Sequence, residues 1–88
     1  MAVIEKLVGN FTETDIDDEI VIMRLDNGEL LSLSGTGAAI WRLIDGTRDR
    51  HALRTTLAAE YDASEQQLVG EIDDFLVQLK EAGLIGEG

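Results

Sequence analysis

The stretch LLSLSGTGAAIWRLIDG, residues 30–46, passes from a strand to a helix within a few residues. Leu31 and Leu33 alternate with serines, and a period of two is typical of a strand with one buried face. Two glycines interrupt the alternation, and from Ala38 onward the apolar residues crowd one side of a short, tryptophan-bearing helix. Asp45-Gly46 ends that helix, because glycine readily takes the left-handed conformation that follows a helix. We therefore expect this corner to be the centre of the core.

Two more strands are predicted before this corner. Residues 11–16 read as a short strand, and residues 19–25 are apolar on both faces, as is typical of a central strand. The turn Asp26-Asn27-Gly28 follows, and an Asn-Gly pair between two apolar runs is a strong hairpin signal. Residues 29–34 are then the return strand. Residues 1–10 are either a loose tail or a first pairing segment.

Two more helices are predicted after the corner. Residues 50–61 carry apolar side chains at helical spacing, and residues 65–82 show the clearest helical pattern in the chain. Ser64 and Gln67 have the spacing of a capping box at the start of the last helix. Residues 83–85 end that helix with a glycine and fold two apolar side chains back onto it. The apolar stripe of this helix consists of Leu68, Ile72, Phe75, Leu76 and Leu79.

Three strands followed by three helices predict an α+β fold, with the helices on one face of a small antiparallel sheet. This order resembles a winged helix-turn-helix. A chain of 88 residues is long enough for one domain, which we place over residues 1–88. It contains no cysteine, which excludes disulfides and cysteine-ligated zinc. The sequence has neither a transmembrane run nor a signal peptide, so we expect a cytoplasmic protein without a membrane partner.

The charge balance argues against a nucleic-acid partner. The chain has 7 basic and 18 acidic residues, a net charge of −11, whereas binding to phosphates requires a basic surface. In a winged helix the last helix would read DNA, yet here Lys80 is its single basic residue among several acidic ones. A cationic peptide or protein would instead be attracted.

The residue types do not predict catalysis, a metal or a cofactor. The single histidine, His51, lies in a polar stretch without a nucleophile and base beside it. The acidic run at residues 15–19 lacks the glycine and trailing glutamate of an EF-hand loop. Gly35-Thr36-Gly37 is not followed by the lysine of a phosphate-binding loop.

Peptide binding is the chemistry that the pattern favours. The strand at residues 29–34 has one hairpin neighbour, and its other edge carries no lysine or proline that would block pairing. An extended peptide can add there as a further strand, with the last helix as the second wall of a groove. Leu30 either completes the core or lies on the floor of the groove, and Val77 is either a groove contact or an ordinary surface valine. The candidate peptide-binding residues are Glu29, Leu30, Leu31, Ser32, Leu33, Val69, Asp73 and Val77.

Three segments in order carry a resemblance to a known family: DDEIVIMRLDNGELLSLSGTGAAIWRLIDG, LAAEYDAS and IDDFLVQLKEAGLI. From about Asp18 to Ile85 the chain resembles the PqqD-like family, the recognition elements of ribosomally made, post-translationally modified peptides (RiPPs). The resemblance implies a winged-helix-like, non-catalytic peptide chaperone that binds the leader part of a precursor peptide. The leader would add along residues 29–33, in the cleft against the last helix near Val69, Asp73 and Val77.

The resemblance also implies a partner enzyme to which the leader is presented. This enzyme is a radical SAM enzyme in pyrroloquinoline quinone (PQQ) synthesis or a leader peptidase in lasso-peptide assembly, and a stand-alone recognition element suits both pathways. Two other functions stay open on the sequence. One is a general protein-interaction module, and the other is a degenerate winged-helix regulator.

Overall fold

The structure is a computed structural model that describes residues 3–61 and 65–87. It confirms the predicted α+β fold, in which a three-stranded antiparallel sheet precedes three helices, and it adds two short terminal strands. In chain order the elements are β1 (Ile4–Lys6), β2 (Phe11–Ile16), β3 (Glu19–Arg24), β4 (Leu30–Leu33), α1 (Gly35–Leu43), α2 (Arg50–Tyr61), α3 (Glu65–Glu81) and β5 (Ile85–Glu87).

The main sheet is a meander in the order β2–β3–β4. Asp17 turns the chain between β2 and β3 with a φ of 54°. Gly28 has a φ of 71° in the β3–β4 turn, and the N–H of Glu29 donates to the side chain of Asn27 at 2.9 Å. The hairpin predicted from the Asn-Gly pair is therefore present, because the glycine takes a left-handed conformation that most residues avoid.

The corner between β4 and α1 lies in the core, as predicted. The helix begins at Gly35, three residues before the apolar pattern starts at Ala38. Trp41 is fully buried, and its indole Nε1–H donates to Glu13 on β2 at 2.8 Å. The ring of Phe11 meets the Trp41 ring edge-on, with 5.3 Å between centroids. One side chain thus attaches α1 to the sheet by packing and by a hydrogen bond.

The second and third helices pack against each other and cover the rest of the core. Asp49 caps α2, since its carboxylate accepts a hydrogen bond from the N–H of Ala52 at 2.8 Å. In α3, the predicted stripe faces inward, with Ile72 and Leu76 fully buried. The capping box predicted at Ser64 lies outside the described residues.

The end of α3 leads into a second, two-stranded sheet. Gly83 has a φ of 76°, and the N–H of Leu84 donates to the carbonyl of Leu79 at 3.0 Å, so the chain folds back as predicted. Ile85 then begins β5, which pairs antiparallel with β1 in the register Ile4↔Glu87. The first ten residues thus contain a pairing segment, and its partner is the other end of the chain.

Candidate peptide-binding site

No strand in residues 3–61 and 65–87 pairs with the outer side of β4, and the polar groups of this edge can be assigned residue by residue. The N–H of Arg24 donates to the carbonyl of Glu29 at 2.9 Å. Because successive residues of an antiparallel strand direct their N–H and C=O groups to opposite sides, Leu31 and Leu33 also bond to β3. Leu30 and Ser32 therefore direct their N–H and C=O groups to the open edge. These four groups are a template for an added strand.

The side chains of β4 divide between the two faces of the sheet. Leu31 and Leu33 are partly buried and pack against the core beneath the sheet. Leu30 and Ser32 lie on the other face, where Leu30 is 65% exposed and the hydroxyl of Ser32 lies 3.4 Å from the Glu19 carboxylate. Leu30 is therefore not part of the core, and because it lies on the face opposite Leu31 and Leu33 it does not line the cleft between β4 and α3; a leader contact at Leu30 stays a prediction.

The candidate residues on α3 lie on the side of the helix that faces α2. The carboxylate of Asp73 lies 3.2 Å from Arg50 and 3.6 Å from Arg54, both on α2. Val69 is partly buried, and Val77 is 46% exposed. Asp73 therefore already has cationic partners within the domain. Leader contacts at these three positions stay a prediction.

The opposite side of α3 faces the start of α1. A Cβ atom placed on Gly37 would lie 3.6 Å from the Phe75 ring, so this ring covers the first turn of α1 directly after β4. Phe75 is partly buried and packs against the core. Positions two residues apart on a helix point to nearly opposite sides, which separates Phe75 from Asp73 and Val77. The sequence pattern assigned Phe75 to the core. The one sequence signal that could have identified it as a groove residue is its position at the margin of the apolar stripe.

An ion-pair network fixes the α2 side of α3. Arg50 and Lys80 both contact the carboxylate of Glu87, each at 3.0 Å. The hydrogen bonds from Arg50 and then from Lys80 lower the pKa of Glu87 to about 2 from its usual 4.5. Since Glu87 belongs to β5, this network connects the terminal sheet to both helices.

All seven lysine and arginine side chains contact a carboxylate of the same chain. The carboxylates without such a contact in the described part of the chain include Glu19 near β4, and Glu71 and Asp74 on α3. The uncompensated charge of the surface is therefore negative. A peptide with basic residues would meet attraction from most directions.

Two cavities of about 410 and 400 Å³ lie elsewhere on the domain. The larger is lined by the two residues before β2, by the end of β3 with the turn after it, and by the end of α3. The smaller lies between the segment around β1 and the end of α1. Neither cavity is lined by a residue of β4. The candidate site is thus an open strand edge beside a helix, a shape suited to an extended chain.

The fold and the open edge define the chain as an α+β domain with a strand edge available for pairing. The chain belongs to the family of coenzyme PQQ synthesis protein D (PqqD), whose family model matches residues 19–85. Among solved structures it is similar to TbiB1 in complex with the TbiA(beta) leader peptide, with 26% sequence identity and a TM-score of 0.79. That similarity covers 86% of this chain and 88% of TbiB1. A search of curated proteins gave no match.

None of the helices in residues 3–61 and 65–87 is long and apolar enough to span a membrane.

Proposed function

We propose that this domain binds the leader segment of a ribosomally made precursor peptide and presents it to a processing enzyme, without catalysing a reaction itself. The observation that carries the proposal is the open edge of β4, where the N–H and C=O groups of Leu30 and Ser32 point outward. The family and the leader-peptide complex of TbiB1 support the same function. The enzyme is a leader peptidase of a lasso-peptide pathway or a radical SAM enzyme of a PQQ-type pathway.

The added strand would alternate its side chains between the two faces of the sheet. Leader residues opposite Leu31 and Leu33 point beneath the sheet, towards the Phe75 side of α3. This side borders the end of β4, and it is therefore the helical wall that we favour. The contacts predicted at Asp73 and Val77 would need a different path for the peptide, across the α2 side of the helix.

Main-chain pairing alone gives modest affinity. Four hydrogen bonds at a net value of about 1 kcal/mol each contribute roughly 4 kcal/mol, whereas a micromolar complex requires about 8 kcal/mol. The remainder has to come from apolar leader side chains that are buried beside Leu31, Leu33 and Phe75. Specificity therefore depends on alternate leader residues.

The direct test is a fluorescence-anisotropy titration with the leader of a short precursor encoded beside this chain, and with a scrambled leader as the control. We expect saturable binding of the true leader alone, at micromolar or lower Kd. A folded, monomeric domain that binds neither peptide would contradict the proposal and favour the general protein-interaction module.

The helical wall is tested separately with Asp73→Asn, which removes a charge without changing the size of the side chain. We expect this variant to bind the leader with unchanged affinity, because Asp73 faces Arg50 and Arg54 on α2. A several-fold loss of affinity at unchanged helicity would place the leader on the α2 side instead.

A further inference from the structure

The face of the main sheet that points away from the helices carries a row of apolar side chains. We call it the outer face and define its apolar part by Ile16, Val21, Met23 and Leu30. Met23 and Leu30 lie directly opposite each other on neighbouring strands, and Val21 follows on the same side of β3. The helices cover the other face, where Ile20 and Ile22 are buried.

This apolar row is exposed in the domain. Met23 is 38% exposed, Ile16 53% and Leu30 65%. Exposed apolar side chains that lie next to each other, unlike scattered ones, mark a surface that binds a partner. Methionine is common on such surfaces because its flexible side chain adapts to a partner.

The charges beside the row indicate the chemistry of the partner. Glu19 lies on the same face, and Asp17 and Asp18 precede it in the turn between β2 and β3. These three carboxylates have no cationic contact in the described part of the chain. The strand residues of the outer face include no lysine or arginine. A second copy of this acidic chain would meet repulsion here, whereas a surface with basic residues would be attracted.

We propose that the outer face docks the processing enzyme, through an apolar surface of that enzyme flanked by lysine and arginine residues. This inference rests on the proposed leader-binding function, because it assigns the enzyme a surface next to the leader. A leader strand added at β4 would widen the same sheet, and its residues opposite Leu30 and Ser32 would point to the outer face. The enzyme would then contact the domain and the leader side by side.

The size of the outer face sets the strength of the contact. Three strands of up to six residues cover roughly 15 by 20 Å, given about 4.8 Å between strands and about 3.3 Å per residue. This is well below the roughly 800 Å² per partner that is typical of a stable complex. The enzyme therefore binds the bare domain weakly and binds more tightly once the leader has enlarged the surface. By linkage, the enzyme raises the affinity for the leader by the same factor.

The test uses Met23→Lys, which places a positive charge in the centre of the apolar row. Tyr61→Lys is the matched control, because Tyr61 is a similarly exposed side chain at the end of α2, on the helical side of the sheet. Each full-length variant is titrated with the leader alone, and then with the leader peptidase or radical SAM enzyme encoded beside the chain, with and without leader. A third variant, Glu19→Gln, is titrated with the enzyme at low and high salt.

We expect Met23→Lys to lower the affinity for the enzyme at least about tenfold, with the affinity for the leader and the circular dichroism spectrum unchanged. Tyr61→Lys should leave the affinities for the enzyme and for the leader within about twofold of the wild-type values. Glu19→Gln should reduce the salt dependence of enzyme binding.

Unchanged enzyme affinity in Met23→Lys overturns the inference, as does a wild-type domain that binds the leader but not the enzyme. Loss of leader affinity in Met23→Lys would assign the face to the leader, and conversion of a dimer to a monomer would assign it to a second copy. Failure of the wild-type domain to bind leader would count against the proposed function itself.

Discussion

A proline at position 32 tests strand addition more directly than any other substitution on β4. The N–H of Ser32 points to the open edge, so Ser32→Pro removes a donor that only an added strand would use. Prolines are tolerated in edge strands when the missing N–H faces solvent. The domain should therefore stay folded, with a loss of at most about 1 kcal/mol in the free energy of unfolding. Leader binding should be strongly weakened.

The expected loss follows from the bond that is removed. A buried leader carbonyl that faces proline loses its donor, which costs about 1–3 kcal/mol, and the lost bond itself is worth about 0.5–1.5 kcal/mol. The proline ring also occupies the space into which the neighbouring strand must come. Taking the lower ends of these two ranges, about 1.5 kcal/mol together, the Kd for the leader rises at least about tenfold.

The assay is the leader titration followed by fluorescence anisotropy, with urea unfolding of each variant. Ser32→Ala is the matched control, because it removes the hydroxyl but keeps the N–H, and it should bind the leader as the wild type does. Leu31→Pro should instead destabilise the fold, since that N–H pairs with Ile22 on β3. A folded Ser32→Pro variant with unchanged leader affinity would refute strand addition at β4.

Two further predictions concern the stability of the domain. Glu87→Gln removes a charge held by Arg50 and Lys80, and it should lower the free energy of unfolding at pH 7 by about 1–2 kcal/mol, a value reduced for partial exposure. Because the pKa of Glu87 is lowered to about 2, its contribution is present above pH 4.5 and is lost as pH falls towards 2, so urea unfolding should show the variant and wild type converging in acid. Trp41→Phe removes the hydrogen bond to Glu13 and should cost about 1–3 kcal/mol in the same assay. A change below about 0.5 kcal/mol would show that this bond has no net effect, within the precision of such measurements.

Local patterns were sufficient to predict most of the fold. The Asn-Gly turn identified the β3–β4 hairpin, and the inward stripe of α3 follows from the spacing of Leu68, Ile72 and Leu76. Both signals act over a few residues, so a single sequence contains them. The family resemblance, first seen in the order of three motifs, is confirmed by the family model.

What the sequence did not predict depends on contacts between distant residues. The pairing of β1 with β5 was missed because two three-residue strands at opposite ends of the chain carry no local pairing signal. Similarly, the apolar stripe showed which side of α3 faces the core but not which flank faces α2. Asp73 was predicted to line the groove because it lies on the rim of the last helix. Its ion pair with Arg50 became visible only in three dimensions, and a leader contact at Asp73 stays a prediction.

The pairing of β1 with β5 has a consequence for folding during translation. Ile4 pairs with Glu87, so the terminal sheet cannot form until translation has passed Glu87. Closing so long a loop is slow compared with forming the β3–β4 hairpin. During translation the side chain of Ile4, which is buried in the folded domain, therefore lacks its partner strand until residues 85–87 have been made.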